Sequence, residues 1–173
     1  TDVLLRAGCT INEINAVRKH CSSVKGGQLA RAANGAAIIA LLLSDVIGDP
    51  VDVIASGPTV PDTSTYADAL AVIDRYGLRE RIPSRVLQRL ETGRLGQVTE
   101  TPKPADPCFA RSQALVIASL SQACRAAQQE AERQGCSTLL FSTTLQGEAR
   151  DVARLLLETA AAEAGRRPRP FCL

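Results

Sequence analysis

The stretch SDVIGDPVDVIASGPTVPD, Ser44 to Asp62, decides how this chain reads. It follows the apolar run Ala36 to Leu43, which reads as a buried strand. It sets Asp45, Asp49 and Asp52 among hydroxyls, glycines and prolines, with neither a helical nor an alternating repeat. Open α/β sheets bind ligands at the carboxyl ends of their strands. A long connection without regular structure is functional or disordered, and this one is too rich in Val and Ile for disorder. It reads as a site for a small, oxygen-rich, anionic ligand.

Working outward, Thr10 and Glu13 have the form of a capping box, and the helix they open carries Ile11, Ile14, Val17 and Cys21 at helical spacing. Lys25-Gly26-Gly27 breaks the chain before a short helical run, Gln28 to Ala33. Beyond the long loop, Thr65 to Tyr76 predicts a helix closed by Gly77, and Pro83 opens a second, running to about residue 91. Three prolines between Thr101 and Pro107 force an extended connector. The last third predicts strands at Leu115–Ser119, Thr138–Ser142 and from Phe171, with helices at Ser121–Gln134 and Glu148–Ala164 between them. That β-α-β-α-β order is the signature of a parallel sheet with right-handed crossovers. All its loops are expected to open on one edge.

Composition agrees. With 173 residues, 45% of them hydrophobic, the chain can bury the core of one ordinary domain. Aromatics are only 3%, so that core must be aliphatic, as in helices packed on a parallel sheet. The net charge of +2 comes without a basic block or basic-aromatic interleaving, which argues against a nucleic-acid partner. No apolar run approaches the roughly 18 residues of a membrane span, and no secretory signal is visible. Six cysteines lack Cys-x-x-Cys spacing and His20 stands alone, so zinc is not expected. Cys21, Cys124, Cys136 and Cys172 read as reduced core thiols of a cytoplasmic protein. Methionine is absent altogether, and the chain reads as a piece of a longer polypeptide.

Asp45, one residue past the strand, is the first candidate for chemistry. Its carboxylate can hold Mg²⁺ or take a proton from a substrate hydroxyl; the alternative is a turn-forming or capping Asp. Ser56-Gly57-Pro58-Thr59 offers two hydroxyls and a backbone anion nest, or a plain turn. Lys25 offers a cation beside a glycine turn leading into a helix, although a helix C-terminus looks the same. Arg18 and Lys19 read as a solvated face. Ser44 and Ser119, each at the end of a strand, join the candidate set, and Thr143, Thr144, Gln146 and Gly147 follow a third strand. There is no Gly-x-Gly-x-x-Gly, no P-loop, no Gly-x-Ser-x-Gly elbow and no Ser/His/Asp triad.

Residues 15–30 (NAVRKHCSSVKGGQLA), residues 41–62 (LLLSDVIGDPVDVIASGPTVPD), Tyr76-Gly77, the Thr101–Pro104 connector and Leu145-Gln146-Gly147-Glu148 together resemble the type II glycerate kinases. These carry a so-called MOFRL domain at the carboxyl end. The resemblance covers essentially the whole chain. It implies an α/β, Rossmann-like three-layer fold with a mostly parallel sheet, here incomplete at both ends. Residues 1–173 would be a partial amino-terminal domain, with the MOFRL domain and the opening amino-terminal part lying elsewhere in the same polypeptide. It implies ATP- and Mg²⁺-dependent phosphorylation of D-glycerate to 2-phosphoglycerate, and an inactive isolated chain. On that view Asp45 is catalytic, Asp45 and Asp49 hold metal, and Lys25, Ser44, Ser56, Gly57, Thr59 and Ser119 bind substrate. One departure stands out: the family shows Gly-Ser-Asn where this chain has Ala118-Ser119-Leu120. A hydroxypyruvate reductase and a non-catalytic α/β binding module are the alternatives.

Overall fold

The computed structural model describes residues 1–173 and divides into two compact units. The first comprises Thr1–Leu42 and Pro50–Val116, the second Leu43–Asp49 and Ile117–Leu173.

In chain order the helices of the first unit are α1 (Asp2–Arg6), α2 (Ile11–His20), α3 (Gln28–Ala32), α4 (Tyr66–Arg75) and α5 (Ser84–Arg94). Local chemistry sets most of their limits. Thr10 and Glu13 close a reciprocal capping box at the start of α2, and Thr65 and Asp68 do the same for α4. Gly77 terminates α4 at φ 60°, a left-handed value that favours glycine. Glu13 then ties the two helices together, accepting from Arg75 Nη1 at 2.6 Å and from the Tyr76 hydroxyl at 2.9 Å. Ile14 and Val17 of α2, Tyr66, Ala69, Leu70 and Ile73 of α4, and Leu90 of α5 form the centre of the core. Gly93 lets α5 approach closely, since a β-carbon there would collide with the Tyr66 ring. The capped α2 therefore has one face fixed against α4, which determines what its other residues can reach.

Strands β1 (Ile38–Ser44) and β2 (Ser112–Ser119) are hydrogen-bonded neighbours. Ile38 N–H donates to Arg111 O at the start of both (2.9 Å), and their carboxyl ends line one cavity, so they run in the same direction. The expectation of a buried β1 is corrected. Its side chains alternate, and Ile39, Leu41 and Leu43 are 72%, 60% and 70% exposed. Successive strand residues point to opposite faces, and this chain covers only one of them.

The second unit holds α6 (Leu120–Arg133), β3 (Ser137–Thr138), α7 (Ala149–Ala164) and β4 (Phe171–Cys172). β3 and β4 pair in parallel, Ser137 with Phe171 and Thr138 with Cys172, with α7 as the crossover. The expected strand to Ser142 ends at Thr138 because its partner offers only two residues. The strands pair as two two-stranded sheets, β1 with β2 and β3 with β4. The α/β class and the parallel pairing stand. All six cysteines are free, but only Cys9 is buried; Cys21 and Cys172 are exposed, which corrects their reading as core thiols. No helix is long and apolar enough to cross a membrane.

Candidate functional site

The loop after Pro50 folds into a 3₁₀ turn over Ile54–Ser56. Ala55, Ser56 and Gly57 take φ values of 52°, 64° and 58° in succession. Non-glycine residues in that region carry strain of order 1–3 kcal/mol each, so the surroundings must hold the turn. Ser56 Oγ donates to Asn15 Oδ1 of α2 at 2.9 Å, in a buried position. Gly57 can have no side chain: a β-carbon would sit 2.9 Å from Val60 Cγ2 and 3.0 Å from Asp52 O.

The same turn meets the Lys25–Gly27 segment. Gly26 N–H donates to Ser56 O at 2.9 Å, Gly27 N–H to Gly57 O at 2.8 Å, and Leu29 N–H to Pro58 O at 3.2 Å. Ser56 and Gly57 amides donate to Val53 O and Ile54 O. This corrects the expected anion nest, because the protein's own carbonyls fill it. The Ser56 hydroxyl is engaged with Asn15 rather than open to a ligand, and Gly57 serves close packing. Lys25 Nζ donates to Ala55 O at 3.0 Å and stays partly exposed. Burial, and then the nearby charge of Arg18, lower its pKa. The Thr59 carbonyl accepts from Ser112 Oγ at 3.1 Å.

Behind this loop lies a buried ionic network that the linear reading missed. Lys19, expected on a solvated face, is 5% exposed; its Nζ lies 3.3 Å from Asp62 Oδ1 and 3.7 Å from Asp52 Oδ2. Asp62 is fully buried and accepts from the Ser64 amide and hydroxyl and from Thr101 Oγ1, at 3.0, 2.7 and 2.9 Å. Burial pushes the Asp62 carboxyl up, but hydrogen bonds from Ser64, the charge of Lys19 and the Thr101 bond outweigh it and hold the pKa below its ordinary value. Lys103 Nζ donates to Thr101 Oγ1 at 2.8 Å and to Ser64 O. Beside them His20 Nδ1–H donates to Ala16 O at 2.7 Å, and Nε2 lies 2.8 Å from Glu100 Oε1. The proline-rich connector is thus part of the buried network rather than a spacer. Nothing in linear spacing links residues 19, 62 and 101.

In the second unit an open cavity of about 440 Å³ lies at the strand ends, lined by Leu43, Ser44, Asp45, Ala118, Ser119, Leu120 and Ala123. Ser44 is buried and its hydroxyl bonds to the Val46 backbone. Ser119 caps α6, accepting from Gln122 N–H at 3.4 Å, while the Ser119 amide donates to Gln122 Oε1 at 3.1 Å. Asp45 is exposed at the rim. Asp49, at φ 52° with its amide on Val46 O, does not line this cavity. No group of three His, Cys, Asp or Glu side chains forms a metal cage. The one carboxylate at the cavity, Asp45, is a hard oxygen donor of the kind Mg²⁺ takes. Ala118 and Leu120, which depart from the glycerate kinase pattern, face this cavity and make its rim less polar. A second, apolar cavity of about 300 Å³, lined by Leu139, Phe141, Leu156 and Cys172 among others, holds none of the candidates.

Comparison with known proteins gives these residues a context. A protein of Pyrococcus horikoshii named glycerate 2-kinase is 44% identical over 171 residues, covering 99% of this chain and 38% of that protein. A protein of Agrobacterium vitis named as a hydroxypyruvate reductase is 42% identical, covering 88% of this chain and 33% of that protein. The crystal structure of a glycerate kinase from Thermotoga maritima superposes with a TM-score of 0.73 at 36% identity, covering 98% of this chain and 38% of that one. The chain thus spans about a third of the length of these relatives. A family model described as domain of unknown function DUF4147 matches residues 1–91. More than half of the chain falls within that match, and the chain therefore belongs to the DUF4147 family, among relatives that include glycerate kinases.

Proposed function

We propose that this chain serves, as part of a longer glycerate 2-kinase, in the phosphorylation of D-glycerate by ATP. The observation that carries this reading is the cavity where Ser44, Asp45 and Ser119 meet at the ends of parallel strands, in a chain 44% identical to a named glycerate 2-kinase. Phosphoryl transfer asks a protein mainly to position groups and neutralise charge. The glycerate 2-hydroxyl oxygen forms the new bond to the γ-phosphorus, the bond from that phosphorus to the ADP oxygen breaks, and 2-phosphoglycerate and ADP result. Asp45 is the residue to orient that hydroxyl and take its proton, with Ser44 and Ser119 beside it. Mg²⁺, when bound, would neutralise phosphate charge, and Asp45 is the carboxylate placed to hold it. Within the first unit, Lys25 offers a cation and Thr59 a hydroxyl to an anionic oxygen group. Six free thiols support a reducing, cytoplasmic setting.

The Agrobacterium relative keeps a second reading in view, reduction of hydroxypyruvate; the missing Gly-x-Gly-x-x-Gly speaks against it. The test is direct. The full-length protein is expected to form ADP from ATP with D-glycerate and to give 2-phosphoglycerate by phosphorus NMR. NADH oxidation with hydroxypyruvate, and no ADP, would reverse the assignment. The 173-residue chain alone is expected to give no turnover.

A further inference from the structure

Arg18 lies in the last turn of α2, half-buried. Its Nη1 donates to Asn15 Oδ1 at 3.3 Å, the same oxygen that accepts from Ser56 Oγ at 2.9 Å. Lys25 donates to the carbonyl of Ala55, the residue before Ser56. Two cations are thus tied to neighbouring residues of one strained turn, close enough for Arg18 to act on Lys25 electrostatically. Neither forms an ion pair within 4.0 Å. The carboxylate of the same loop, Asp52, turns to Lys19 instead. A helix C-terminus accounts for a basic residue in the last turn of α2, but not for a second cation, without an ion pair, held on the Ala55 carbonyl. Like charges held together without a counter-ion on a rigid turn suit an anionic oxygen group.

We propose that Arg18 and Lys25 form an anion subsite at the Ala55–Ser56 turn, taking the carboxylate or phosphate of a small ligand. The backbone amides there are closed by carbonyls, so the two side chains supply the charge. The guanidinium offers a planar fork and the ammonium a point charge. The inference rests on the glycerate kinase reading only for the choice between the two anions.

Isothermal titration of the full-length protein with inorganic phosphate and with D-glycerate, in separate arms, tests it. Arg18→Gln and Lys25→Gln are each expected to weaken one of the two ligands by about tenfold, and Arg18→Lys to recover part of the loss. Circular dichroism confirms that the variants fold; should Arg18→Gln fail, Lys25→Gln carries the test. Wild-type affinity for both ligands in a folded variant overturns the subsite, as does a wild-type protein that binds neither. Phosphate binding weakened by the variants, in a protein that neither binds nor turns over D-glycerate, keeps the subsite and removes the glycerate reading.

Discussion

The turn at Ala55–Gly57 and the cavity at Asp45 come from the same loop sequence and are built in opposite ways. Around the turn the polar groups are mostly engaged: Ser56 with Asn15, the Gly26 and Gly27 amides with carbonyls, Lys19 with Asp62. At the cavity, Asp45 stands exposed beside serines whose hydroxyls serve the local backbone. A run of polar residues after a strand is therefore not one site. Burial and partners separate the groups that hold a backbone in place from the groups left for a ligand.

The sharpest way to break this contrast is to remove a carboxylate from each side. Asp62→Leu leaves Lys19 buried without its main partner and is expected to cost about 3–5 kcal/mol in urea denaturation. Asp45→Ala is expected to change stability by no more than about 0.5 kcal/mol; a comparable loss from both would end the distinction. The same Asp62 shapes acid stability. Its folded pKa is depressed, so its contribution is present above its ordinary value of 3.8 and is lost as pH falls below that. Acid denaturation between about pH 5 and about pH 2 should be steeper for wild type than for Asp62→Asn.

Catalysis tests the other side. In the full-length enzyme Asp45→Ala is expected to lower kcat by about 10²–10⁴-fold, the range for losing a positioned acid–base group. Near-normal turnover would leave the cavity without its proposed chemistry. The smallest effect sharpens the account of strain. Ala55→Gly should stabilise the protein by about 0.5–1 kcal/mol, relief of the left-handed penalty partly offset by chain entropy. A loss of stability would mean the Ala55 methyl makes contacts that outweigh its strain.

Much of the scaffold is legible in the amino-acid sequence. The Thr10–Glu13 box, the stop at Gly77 and the strand-helix order of the last third were all visible, because each depends on neighbours a few residues away. The long loop stood out as the place to look. The exposed face of β1 was not legible, since an apolar run does not say how many layers cover it. Nor were the partners of Lys19, His20 and the Thr101–Lys103 connector.

By itself, then, the amino-acid order determined where helices begin and stop, the α/β class and the likeness to glycerate kinases, since capping, turns and periodicity act over a few bonds. Only the tertiary structure decided which charges are buried. Lys19 and Asp62 meet across 43 positions of sequence. Whether a carboxylate binds a ligand or a lysine depends on which groups surround it in space and on how much water reaches it, and neither is written in the spacing of residues along the chain.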